Sequence, residues 1–144
     1  MNLKRLKLTK KIFLISIALL LTLTGCSFGK DKPSVLFNIN PITKETIMDN
    51  SVVFAPGQRI YYVVLMPKPQ ESRFLYIQVI KQDSKDERFG YDLIWSANIR
   101  LKDEEMYYYT DYVVLNQTGS YIMKVFSKDK PTEALTMAEF FIRE

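Results

Sequence analysis

The chain has 144 residues, with 20 Lys and Arg against 16 Asp and Glu and a formal net charge of +4. It contains no histidine and a single cysteine, Cys26, which removes the commonest general base and metal ligand, every Ser-His-Asp arrangement, and any disulfide within the chain. Its glycines beyond residue 50 are isolated, so no glycine-rich phosphate loop exists, and no catalytic residue, metal site or cofactor is expected.

Residues Met1 to Lys11 carry five basic side chains and no acidic one, and an apolar run from Ile12 to Leu21 follows. Counted to Leu23, that run spans roughly 12 residues, or about 18 Å of helix, against the ~20 residues that cross a bilayer. A basic start, a short apolar helix and small residues at its end are the parts of a secretory signal, assigned here to residues 1–25. The stretch Leu23-Thr24-Gly25-Cys26 resembles the bacterial lipobox. That resemblance implies cleavage before Cys26, a diacylglyceryl thioether on its sulfur and an acylated (palmitate-type) amine. The thiol is the nucleophile that can take the first lipid, and two or three chains on one residue meet the condition for stable anchoring. A lone cysteine in an exported chain agrees with this role. The same resemblance places the protein outside the cytoplasm on the cell membrane. Ser27, rather than Asp, after the lipidated residue implies outer-membrane delivery where the organism has such a membrane.

The basic charge belongs to the leader. Removing residues 1–25 leaves 15 of the 20 basic side chains against 16 acidic ones, a formal charge of −1. No nucleic-acid partner is expected, because phosphate binding needs a retained basic surface. Residues 26–33 are polar apart from Phe28 and include Gly29 and Pro33, which suits a short lipidated tether, and residues 34–144 suffice for one domain.

That domain alternates as strands do. Ser34 to Asn40 and Ser51 to Phe54 open it, and Ala55-Pro56-Gly57-Gln58 is a turn signal with Pro at the second position and Gly at the third. Strands are expected from Arg59 to Met66, Phe74 to Lys81, Tyr91 to Ile99 and Met106 to Leu115. In the strand from Tyr91 to Ile99, Leu93, Trp95, Ala97 and Ile99 are expected to share one face. Tyr121 to Phe126 and Ala134 to Ile142 finish the chain as a hairpin around Lys128-Asp129-Lys130-Pro131. Seven or eight short strands without a long amphipathic helix predict an all-β antiparallel sandwich. Gln117-Thr118-Gly119-Ser120-Tyr121-Ile122-Met123 resembles the immunoglobulin-fold stretch Asp-x-Gly-x-Tyr-x-Cys. The resemblance implies an immunoglobulin-like sandwich in which the Tyr121 hydroxyl bonds backbone just upstream. Gln117 replaces the acid and Met123 the disulfide cysteine, and Trp95 sits a strand later than the core tryptophan of that family.

Asp83, Asp86 and Glu87 share one loop with Lys81, Lys85 and Arg88, and Asp103-Glu104-Glu105 sit in another; both are read as solvated connections. The functional signal is aromatic: Tyr61, Tyr62, Tyr76, Tyr91, Tyr107, Tyr108, Tyr109 and Tyr112 are many for one domain. Alternation separates Tyr107 and Tyr109 from Tyr108. Exposed tyrosine buries area at low rotamer cost and keeps a polar tip. The expected binding surface is Tyr107, Tyr109 and Trp95. The expected function is a non-enzymatic envelope lipoprotein that binds another protein as an assembly or accessory subunit, with glycan or wall-polymer binding as the alternative. A flat tyrosine row would favour glycan, and a concave or edge-strand surface would favour protein.

Overall fold

The computed structural model describes residues 31–82 and 90–144. The signal segment, Cys26 and the acidic cluster Asp83, Asp86 and Glu87 lie outside the described residues. Eight strands follow in order: β1 (Ser34–Asn38), β2 (Val53–Phe54), β3 (Arg59–Leu65), β4 (Phe74–Lys81), β5 (Asp92–Arg100), β6 (Tyr108–Val114), β7 (Gly119–Ser127) and β8 (Ala134–Ile142). Every expected strand is present. A short 3-10 turn at Asp103–Glu105 was not expected, and β1 and β6 are trimmed by two residues at one end. Among the described residues, no helix is long and apolar enough to cross a membrane.

The strands form two sheets, a three-stranded one in the order β1-β3-β6 and a five-stranded one in the order β2-β8-β7-β4-β5. All pairings are antiparallel except the two-residue match of β2 with β8, which is parallel. The chain leaves β1 at Asn38, loops over the sandwich and joins the other sheet, which sets β2 running along β8 rather than against it.

Period-two alternation explains the core. Ile60, Tyr62 and Val64 of β3, Leu75, Ile77 and Val79 of β4, and Tyr121, Met123 and Val125 of β7 are all buried and belong to one cluster. Phe140 of β8 ties the sheets together, with its ring 4.9 Å from Phe37, 6.3 Å from Phe54 and 5.5 Å from Tyr121. The sandwich thus rests on interdigitated apolar side chains.

Two local devices shape the ends. Gly57 has φ +75°, and the Gln58 amide donates to the Ala55 carbonyl at 3.2 Å, as the turn signal predicts. The Tyr121 hydroxyl donates to the Gln117 carbonyl at 2.7 Å, which pins the loop entering β7. One expectation is corrected within β5. The β4–β5 register shifts between Val79 and Ile80, so Val79 faces Trp95 while Ile80 faces Leu93. The bulge at Ile94 reverses the phase, and Leu93 leaves the face of Trp95, Ala97 and Ile99 to stand 50% exposed.

Candidate binding surface

On the three-stranded sheet, β3 and β6 pair with Tyr61 opposite Tyr112, Val63 opposite Thr110 and Leu65 opposite Tyr108. These residues share the face turned away from the core, because the alternating set Ile60, Tyr62 and Val64 is buried. The segment between β1 and β2 folds across that face. It is held by Asn38 Nδ2 donating to the Thr46 carbonyl at 2.6 Å, Thr46 Oγ1 to the Pro41 carbonyl at 2.8 Å, and the Ile47 amide to the Thr43 carbonyl at 3.0 Å. Ile42 and Ile47 thereby become a wall opposite the sheet, and Val63 beneath them is only 1% exposed despite facing outward.

Between this wall and β6 lies an open groove of about 540 Å³, floored by Val63 and Leu65 and rimmed by Tyr107, Tyr108 and Thr110. A smaller hollow of about 230 Å³ adjoins it through Ile42 and Thr110 and reaches Tyr61 and Tyr112. Those two rings lie 5.7 Å apart at 53°, and the Arg59 guanidinium sits 4.9 Å over Tyr112. Arg59 is held protonated above its ordinary range, first by its bond with Tyr61 and then by Tyr112. Tyr107 is 59% exposed, Tyr108 51% and Tyr112 44%, so the rim offers aromatic faces with polar tips. In the strand order β1-β3-β6, β6 is an edge strand with no strand on its outer side among the described residues, where the Tyr112 amide is taken by Asp111 Oδ1 at 2.8 Å.

The three residues expected to form the surface do not come together. Tyr107 lines the groove. Tyr109 turns inward, packs on the core, and donates its hydroxyl to Asp111 Oδ2 at 3.0 Å. Trp95 sits on β5 of the other sheet, half-buried against the core. Tyr108, Tyr112 and Tyr61 carry the exposed aromatic surface instead. The phase was readable from the end of the strand: Val113 and Leu115 are core residues, so Tyr109 and Asp111 share their inward parity. An aspartate on that side hides the pattern. No strand signal marks Ile42 and Ile47, which lie in a loop.

Beneath the surface, Tyr62 is fully buried with its hydroxyl unpartnered among the described residues, its ring 6.3 Å from Tyr109. Burial, chiefly, pushes both phenols up from their ordinary range, and the Asp111 carboxylate adds to the effect. The acidic run at Asp103–Glu105 is solvated: Asp103 pairs with Arg73, and Glu105 Oε2 accepts from the Lys102 amide at 2.8 Å. Among the described residues, no three carboxylates or other ligating side chains converge on a point.

No family model and no curated protein matches this sequence. Solved structures that it resembles are distant. A Thermotoga maritima protein described as a candidate superoxide reductase is 13% identical, with a TM-score of 0.46 over 82% of this chain and 92% of that one. An alkylpurine DNA glycosylase of Pseudomonas fluorescens is 14% identical, with a TM-score of 0.40 over 78% of this chain and 30% of the glycosylase. A β-glucosidase of Kluyveromyces marxianus is 13% identical, with a TM-score of 0.40 over 78% of this chain and 14% of the enzyme. Likenesses of this size carry no chemistry across to this chain.

Proposed function

We propose that this is a lipid-anchored bacterial envelope lipoprotein, attached through Cys26, whose immunoglobulin-like sandwich is a non-enzymatic binding module for another protein. The observation that carries the binding half is the groove of about 540 Å³ beside the edge strand β6, with Tyr107 and Tyr108 on its rim. A concave site next to a strand edge that no other described strand covers suits a polypeptide, which can fill the hollow with a side chain and bond the edge groups beside Tyr108 and Thr110 with its backbone. Glycan stacking calls for a flatter platform, and the 53° tilt between Tyr61 and Tyr112 with a loop wall above them disfavours it. The immunoglobulin-like reading is supported by the order β1-β3-β6 against β2-β8-β7-β4-β5 and by the Tyr121 bond to Gln117. The anchor reading is supported by the lipobox-like stretch and the lone cysteine.

Crosslinking the full-length tagged protein in cells, followed by identification of what co-purifies, tests the binding half. One reproducible envelope protein, lost on Tyr108→Ala with Tyr107→Ala, is the expected result. A fully folded protein that captures no partner but binds wall polymer would overturn it in favour of glycan. For the anchor, Cys26→Ala should leave the protein unprocessed or released, and unchanged cleavage with full membrane retention would sink that half.

A further inference from the structure

With a lipid on Cys26, the place of Asp31 in the fold decides which end of the sandwich meets the membrane. Five peptide steps separate Cys26 from Asp31, so the bilayer surface lies within about 18 Å of Asp31 when Cys26 is lipidated. Asp31 in turn sits against the β3–β4 connection, with its carboxylate 3.5 Å from Lys68 Nζ, and shares a hollow with Lys130 of the β7–β8 hairpin. The same end of the molecule carries Phe74, because the Lys128 amide donates to the Phe74 carbonyl at 3.0 Å and the Leu101 amide to the Arg73 carbonyl at 2.8 Å. The opposite end holds the Ala55–Gln58 turn and the 116–118 loop, joined by the Gly57 amide bonding the Leu115 carbonyl at 2.8 Å. Nine residues of β7 separate the two ends, roughly 30 Å at ~3.3 Å per residue.

Resting on the anchor reading, we propose that the end built from residues 66–74, 100–106 and 128–133 docks on the lipid surface itself, with Phe74 as its interfacial contact. Phe74 is 41% exposed, although it opens a strand. Its ring carries Lys128 Nζ at 4.9 Å and borders a hollow of about 500 Å³ lined also by Tyr76, Phe126 and Pro131. An aromatic ring capped by an ammonium suits the headgroup layer, where the ring meets the acyl boundary and the charge stays wet. The tether supplies a high effective concentration of membrane, so a contact too weak to hold a free protein suffices here. Residues 31–33, 66–73, 100–106 and 128–133 together hold seven basic and seven acidic side chains, so the contact does not depend on anionic lipid. The docked pose holds the groove's Tyr107 end beside the bilayer and displays the 55–58 and 116–118 loops outward.

Lipidation consumes the only native thiol, so a single introduced cysteine can carry a fluorophore in the mature lipoprotein. Lys68→Cys and Lys130→Cys report the docking end, Ala55→Cys and Thr118→Cys the far end, and Met137→Cys a side. Each is reconstituted in phosphatidylcholine vesicles containing a headgroup-attached nitroxide lipid. Quenching at 68 and 130 is expected to exceed that at 55, 118 and 137 by at least about threefold, as tethered contact requires. Phe74→Ser should reduce the difference and Phe74→Tyr restore it, with added phosphatidylglycerol changing neither. Equal quenching at all five positions, or a pattern indifferent to Phe74→Ser, overturns the docking while leaving the anchor intact. A Cys26 peptide without lipid by mass spectrometry, with protein washed from the vesicles, overturns both.

Discussion

Two buried tyrosines, one in each sheet, meet opposite fates. Tyr121, near the start of β7, stacks on Phe140 at 15° and sends its hydroxyl past the strand end to the Gln117 carbonyl at 2.7 Å. Tyr62 lies in the middle of β3, where backbone acceptors are already taken by the ladder. The nearby Asp111 carboxylate accepts from Tyr109 and from the Tyr112 amide, and the Tyr62 hydroxyl has no partner among the described residues. A phenol at a strand end can bury its ring and still satisfy its oxygen, whereas one at mid-strand depends on a side chain placed by the other strands. The first tyrosine fastens the five-stranded sheet. The second underlies the face on which the groove is built, so the three-stranded sheet carries a buried hydroxyl that has no hydrogen-bond partner among the described residues.

The largest expected effect removes what both regions share. Phe140→Ala takes away the ring that contacts Phe37, Phe54 and Tyr121, and should cost about 3–5 kcal/mol in urea unfolding. A loss below about 1 kcal/mol would mean that the sheets do not depend on this bridge. Next come the two hydroxyls, with opposite signs. Tyr121→Phe should destabilise by about 1 kcal/mol through the lost bond to Gln117, while Tyr62→Phe should raise the melting temperature, gaining about 1 kcal/mol by deleting a buried unsatisfied group. Equal signs for the pair would break the contrast.

Alkaline titration sharpens the same contrast. In the folded state the Tyr62 and Tyr109 phenols are held above their ordinary range by burial, so the native chain keeps protons that the unfolded chain releases near pH 10. Stability from these groups is fully present below that pH and is lost as pH rises above it. Tyr62→Phe should flatten the decline, and a slope unchanged by it would remove Tyr62 from the account. Gly57→Ala should cost about 1 kcal/mol from the positive φ alone, since a Cβ there meets Asn116 Oδ1 at an ordinary 3.5 Å. The smallest expected effect is at the rim: Tyr108→Ser should change stability by less than about 0.5 kcal/mol while weakening partner capture. A large stability loss would mark Tyr108 as structural and weaken its claim as a contact.

The sequence by itself determined the eight strands, the Pro56-Gly57 turn and the bond from Tyr121 to the backbone before it. Each of these depends on interactions within a few residues: alternation along one strand, a φ that only glycine accepts cheaply, a hydroxyl four residues from its acceptor. Only the tertiary structure decided which tyrosines face out. Parity along β6 is fixed by where Val113 and Leu115 enter the core, and the inward Asp111 is tolerated because the Tyr109 hydroxyl reaches it. The reversal at Leu93 likewise depends on a bulge that two strands make together. The groove wall of Ile42 and Ile47 exists because bonds among Asn38, Pro41, Thr43 and Thr46 fold a loop across the sheet. A surface assembled from a loop and two strands has no local signature, since its parts are brought together by packing rather than by spacing.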